Sequence, residues 1–308
     1  MSGRAWAWLV LLSVIWGASF FFYRVMVAEL PPMTIVFGRL AIAAVALHLF
    51  LLATGETLRM PAGVWRRFIA LGTANNVLPF TLIAYSEVRI SAGVAALIIG
   101  CVPVFSALAA HAFTRDEKLT ANRAAGVLFG LAGVGILIGK DALHGLASAD
   151  FVGELICLSA AMIYALAGIY SRTFSDLPPL KVATGQVTMG AAVILPFMLA
   201  VDRPWALPTP SAPVWGSLLA IGLMGTAFAY ILFFRMIARI GAMNISLVTL
   251  LQPASAALLG WLFLQEGLGA KDFAGMAVIG LGLLLIDGRI LSRFGTGTTR
   301  RSSSPDRT

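Results

Sequence analysis

Apolar residues in this chain neither alternate nor form the one-sided stripe of a surface helix. They run on for about 20 residues at a time, the length a helix needs to cross a bilayer. Ten such runs are separated by short segments where Pro, Gly and charged residues collect: 5–26, 33–53, 67–86, 92–113, 122–139, 152–171, 181–201, 214–234, 243–264 and 272–288. The pattern predicts an all-α integral membrane protein with ten transmembrane helices. The connections leave no room for a soluble domain, and 291–308, made largely of Gly, Ser, Thr and Arg, reads as a disordered cytoplasmic tail.

Composition points the same way. Of the 308 residues 59% are hydrophobic and 12% charged, with a mean hydropathy of +0.90, whereas a soluble domain carries about 25% charged residues. The net charge of +8 does not indicate nucleic acid, because the basic residues stand singly or in twos and threes between apolar runs rather than on one face or in one tract. They sort by side of the membrane instead. Sixteen Lys and Arg fall on the side of the N-terminus and five on the other (Arg24, Arg89, Lys140, Arg203 and Lys271), which predicts both termini in the cytoplasm and a multi-pass protein of the cell inner (plasma) membrane. Cys101 and Cys157 both lie inside apolar runs, as small buried hydrophobes rather than a disulfide framework. The first apolar run is too long for a cleavable signal.

The chain also repeats itself. Leu30-Pro31-Pro32 recurs as Leu177-Pro178-Pro179, and seven residues after each second proline stand Arg39 and Gln186. Residues 72–113 match 222–263 at ten of 42 positions, among them Gly72/Gly222, Arg89/Arg239, Ala92/Ala242, Pro103/Pro253 and Phe113/Phe263. Glu117-x-Leu119 recurs as Glu266-x-Leu268, followed by Gly126/Gly275 and Gly133/Gly282. This divides the chain into a first five-helix repeat, 1–145, and a second, 146–290. Five is odd, so the second repeat must enter the membrane in the opposite sense. Inverted repeats of this kind are a construction of secondary transporters, with the cargo site near the midplane where the repeats meet.

The segments WGASFFFYR (16–24) and PPMTIVFGR (31–39), with the doubled A-x10-P-x12-13-E-x-L-x6-G pattern that begins at Ala92 and at Ala242, resemble the EamA-type drug/metabolite transporter superfamily. The resemblance covers about residues 6–287. It implies ten helices in two inverted five-helix repeats and the transport, often efflux, of small metabolites. It does not name a cargo.

Polar groups within the runs should face the bundle interior or a wet cavity. The candidates for substrate binding are Trp16, Ser19, Arg39, Asn75, Asn76, Phe80, Tyr164, Tyr230, Thr249 and Gln252. Each has a second reading. The asparagines can serve as interhelical hydrogen bonds, the aromatic residues, with Phe228 and Phe234, as packing, and Arg39 either as an anchor snorkelling to the headgroups or as a partner for a cargo carboxylate. Asn75 and Asn76 are adjacent, so about 100° of helix rotation separates them and one is expected to face the cavity, the other a neighbouring helix. Pro103 and Pro253 hold equivalent places in the fourth and ninth runs and are expected to kink their helices as hinges. The glycines of the fifth and tenth runs permit close helix approach, within the chain or in a homodimer.

No HExxH, Walker loop, GxSxG or CxxC accompanies His48, His111 or His144, and Glu87 and Glu154, the carboxylates nearest the membrane middle, sit close to run ends. Neither a metal nor a cofactor is expected, and the partners are the lipid bilayer and a small-molecule substrate. The rival class is an integral membrane enzyme acting on lipid or a small metabolite. Its only dense charged cluster would be Arg115-Asp116-Glu117-Lys118.

Overall fold

The computed structural model describes residues 3–115, 118–143, 148–240, 247–267 and 269–287. His144, Asp116, Glu117 and the 291–308 tail lie outside them. Among the described residues every regular element is helical. In chain order the helices are α1 Gly3–Met26, α2 Pro32–Ala53, α3 Ala62–Glu87, α4 Ala92–Phe113, α5 Ala121–Leu143, α6 Ala149–Phe174, α7 Pro179–Asp202, α8 Ala212–Met236, α9 Leu247–Leu264 and α10 Ala270–Asp287. Eight of these, α1 to α8, are long and apolar enough to cross a membrane. In α9 the apolar stretch is the shorter Leu251–Leu264, and α10 carries Lys271, Asp272 and Asp287. The chain is a multi-pass membrane protein.

Helix starts follow local chemistry. Pro32, Pro179 and Pro213 stand in the first turns of α2, α7 and α8, where a missing amide costs nothing. The hydroxyls of Ser91 and Ser148 accept from the amides of Val94 and Phe151 to cap α4 and α6. The Asp202 carboxylate, at the end of α7, accepts from the Thr34 amide at 2.7 Å and its hydroxyl at 2.8 Å, which places negative charge at the N-terminus of α2.

The helices pair in a regular way. α1 packs on α8 and α9, while α6 packs on α3 and α4; α2 packs on α7 and α8, while α7 packs on α2 and α3; α4 lies against α9 and α5 against α10. Advancing every label by five leaves this set of pairs unchanged. The α5–α10 contact is built on glycine. A Cβ on Gly126 would stand 2.6 Å from the Gly282 carbonyl oxygen, and one on Gly133 would stand 2.9 Å from that of Gly275. These glycines therefore serve packing within the chain.

The two prolines differ in setting. α4 is interrupted at Gly100–Cys101, and Pro103 opens its second piece, Val102–Phe113. Pro253, by contrast, lies inside a continuous α9. Pro253 nevertheless packs on the α4 break, because a Cβ on Gly100 would stand 3.0 Å from its ring.

Candidate functional site

α3 and α8 both change winding at the same point of the bundle. α3 passes through a π-turn at Thr73–Val77, and α8 through another at Leu223–Phe228. Each turn follows a glycine at a close crossing. A Cβ on Gly72 would stand 2.3 Å from the Gln186 carbonyl oxygen of α7, and one on Gly222 would stand 2.7 Å from the Ile42 side chain and 3.3 Å from the Arg39 carbonyl oxygen of α2. Such turns carry hydrogen-bonding groups outside the regular helical ladder.

Side chains from α2 and α7 bond to these turns. Arg39 Nε donates to Thr226 Oγ1 at 2.8 Å, and the Thr226 hydroxyl donates to the Ile221 carbonyl at 3.1 Å, five residues back. On the other turn Gln186 Oε1 accepts from Asn75 Nδ2 at 2.9 Å and from Asn76 Nδ2 at 3.3 Å. Thr226 and Asn76 stand 150 residues apart, at the offset of the sequence repeat, and Arg39 and Gln186 are themselves repeat counterparts. The two contacts mirror each other.

They share one polar centre. Arg39 Nη1 donates to the Tyr23 hydroxyl at 3.0 Å, and the guanidinium carbon lies 3.6 Å from the centroid of the Phe80 ring. Tyr164 meets Phe80 edge-on at 6.5 Å, and the Tyr230 hydroxyl donates to Asn76 Oδ1 at 2.8 Å. Arg39 is 5% exposed, and among the described residues its partners are hydroxyls and rings, not a carboxylate. The snorkelling geometry is not adopted; the guanidinium is held inside by cation–π contact and two neutral acceptors. Asn75 and Asn76 both reach the one Gln186 oxygen, and the π-turn, with more residues in each turn, narrows the angle between them.

Six of the ten nominated residues thus come together: Arg39, Asn75, Asn76, Phe80, Tyr164 and Tyr230. Tyr23, Thr226 and Gln186 join them and were not nominated. Of the other four, Ser19 borders the α8 π-turn and three lie apart. Trp16 sits in the apolar cluster of α1, α8 and α9, tilted against Phe233 at 5.5 Å. Ser19 is buried beside Gly225, its hydroxyl turned back to the Ile15 carbonyl. Gln252 is at the α1–α9 crossing, where its carbonyl accepts from Ser255. Thr249 lines a cavity.

That cavity, about 420 Å³, lies at the end of the bundle where α4 and α6 finish and α9 begins. Pro103, Ser106, Ala165, Gly168 and Thr249 form its walls, and Lys118, Arg123 and Arg172 contribute positive charge. Ala165 follows Tyr164 of the polar centre in sequence. A small void of about 30 Å³, lined by Thr249, Pro253, Gly100 and Leu97, adjoins it along α9. The volume suits a single metabolite.

The opposite end is tied shut. Arg24 Nε lies 3.5 Å from Glu266 Oε1, and Arg24 Nη1 donates to the Glu87 carbonyl oxygen at 2.6 Å. Glu29 accepts from the amide and hydroxyl of Ser211 at 2.7 and 2.6 Å, and these donors hold its carboxyl below the ordinary value. Glu87 and Glu154 are both buried here, at 0% and 2% exposure. Both sit close to run ends, and helix packing encloses them. No group of three or more His, Cys, Asp or Glu among the described residues is placed to hold a metal.

The family model described as the EamA-like transporter family matches residues 4–139 and again 151–287. The chain belongs to that family. Its relatives include the uncharacterized transporter YoaV of Bacillus subtilis, 26% identical over 90% of this chain and 94% of the relative. A protein of Streptantibioticus cattleyicolor named "Probable terminal-alkyne amino-acid exporter" is 27% identical over 100% of this chain and 99% of its own length. The uncharacterized inner membrane transporter YedA of Escherichia coli K12 is 24% identical over 90% of this chain and 87% of its own length. A crystal structure with a TM-score of 0.69 and 20% identity, covering 96% of this chain and 99% of that one, shares the fold. The membrane helices, the doubled family match and the relatives make this EamA member a transporter homologue across its length.

Proposed function

We propose that this EamA protein is a secondary transporter that exports small zwitterionic or amphipathic metabolites, amino acids foremost, by alternating access between two inverted five-helix repeats, 1–145 and 146–290. In this reading all ten helices span the inner membrane, and both termini are cytoplasmic. The observation that carries it is the mirrored pair of contacts, Arg39 to the α8 π-turn and Gln186 to the α3 π-turn. Each joins one repeat to the other, and the principal helix pairs named above recur five labels on. A bundle with two equivalent latches has two related arrangements available, which is what exposing one site to either face requires.

The cargo class follows from the groups around the centre. Arg39, amides, hydroxyls and aromatic rings suit a carboxylate with an apolar body. One fixed cation is too little for a phosphate-rich ligand. The cavity beside Ala165 and Thr249 is the cytoplasmic vestibule in this arrangement, and the Arg24–Glu266 end is the closed outer gate. The relative named as an amino-acid exporter supports the class.

Flux tests it. Purified protein in liposomes, screened against amino acids and aromatic amphiphiles, should exchange a subset of them across the membrane unchanged. A membrane enzyme would convert its substrate without moving it, and that outcome would end the transporter reading.

A further inference from the structure

Glu87 is the last residue of α3 and is wholly buried, and neither of its side-chain oxygens has a hydrogen-bond partner. Charged and titratable groups face it from every side of this end. Arg24 and Tyr23 come from α1, Glu154 and Cys157 from α6, and Glu266 from the segment after α9. Arg24 makes no hydrogen bond to the Glu87 carboxyl and acts on it only through space, because its Nη1 is spent on the Glu87 backbone carbonyl and its Nε faces Glu266. An ionised carboxylate without a donor, among two other carboxyls, is the costly arrangement, and a protonated carboxyl is the cheap one.

We propose that Glu87 is a proton-binding site of the Arg24–Glu266 gate: it holds a proton while this end is closed and releases it to water when the end opens. The proton leaves an acid for bulk water, so the step balances without a further reactant. Ionised Glu87 would then compete with Glu266 for Arg24, which weakens the pair that closes the end. Protonation restores the pair. Opening and proton release are thus one event, and acid on this side favours the closed form. The inference rests on the alternating-access reading and adds to it a ligand, the proton, and a place where it binds.

Cys157 reports on the same pocket, being fully buried with Sγ 3.5 Å from the Ala95 carbonyl oxygen. In a Cys101→Ala background, in nanodiscs and without cargo, its labelling by a small charged thiol reagent is followed against pH, with and without Glu87→Gln. A negative charge on Glu87 disfavours the neighbouring thiolate and by itself slows labelling, so a faster rate in the carboxyl-bearing protein than in Glu87→Gln marks opening of the end. The proposal expects a carboxyl-bearing protein that labels about fivefold faster than Glu87→Gln in alkali, with the ratio falling toward one near about pH 5. Glu87→Asp should keep that pH dependence. A ratio constant across pH would overturn the proton site and leave the transport reading standing, while a pH-dependent ratio with no flux in liposomes would do the reverse. Infrared difference spectra of the unmutated protein give a second reading. The carbonyl stretch of a protonated buried carboxyl, shifted in Glu87→Asp, supports the site, and its absence at neutral pH overturns it.

Discussion

Arg39 Nε lies 2.8 Å from Thr226 Oγ1, and this single bond joins residues 187 positions apart across the two family-matched segments. It has two consequences. The guanidinium stays inside the bundle without a carboxylate, and the α8 π-turn gains a partner outside its own helix.

Thr226→Val keeps the shape of the side chain and removes the acceptor. The buried Nε–H is then left unpaired, at a cost of about 1–3 kcal/mol. The thermal midpoint of the purified protein should fall. Arg39→Lys should not substitute for the native residue, because an ammonium cannot bond Thr226 and Tyr23 while lying flat on Phe80. A Lys variant with wild-type stability and flux would contradict this placement.

The two crossing glycines should be unequal. Gly72→Ala drives a methyl against the Gln186 carbonyl oxygen and the Gly190 amide of α7, closer than the approach of Gly222→Ala to Ile42 Cγ2 and Cβ, and neither clash clears without a shift of the facing helix. Both variants should lose stability, Gly72→Ala more. Melting curves in one detergent decide the order.

The prolines should also differ. Pro103→Ala restores a donor beside the existing break at Gly100–Cys101 and allows α4 to become continuous, while Pro253→Ala acts on a helix that is already continuous. Turnover should therefore slow more in Pro103→Ala. Equal slowing would favour the symmetric hinge that the sequence repeat alone suggests.

Much of this arrangement was legible in the residues. The apolar runs and the helices agree to within a few residues at most ends, because length in hydrocarbon is a coarse and strong constraint. The offset that pairs Arg39 with Gln186 already marked the two residues that bond to the π-turns. Gln186 was nevertheless not nominated, since a lone glutamine reads as ordinary helix contact until the glycine opposite shows how closely α3 passes. Thr226 was missed for a related reason, since a π-turn leaves no periodicity in so apolar a helix, and Tyr23 because its place near a run end does not show that it faces Arg39. Trp16 was nominated for its depth, and depth does not say which neighbour a ring faces. The sequence put Glu87 close to a run end, and a position near a run end does not show whether neighbouring helices bury it.

Glu29 offers a pH test at the surface. Its carboxyl is held below the ordinary 4.5 by the Ser211 donors, so the stability it contributes is present above that value and is lost as pH falls through the lower folded value. Glu29→Gln should be less stable than the native protein at neutral pH, and the difference should shrink as the solution is made more acidic than the ordinary carboxylate range. The effect should be small, because the group is exposed. A difference that grows in acid would have the wrong sign.

Counterflow in liposomes, with the native protein, Thr226→Val and Asn76→Leu side by side, tests the central claim most directly. The account predicts saturable exchange of an amino acid or related amphiphile by the native protein. It predicts that the two variants, one in each mirrored latch, lose exchange rate to a similar degree. Exchange that is untouched in both variants, or no exchange of any cargo above empty vesicles, would contradict it.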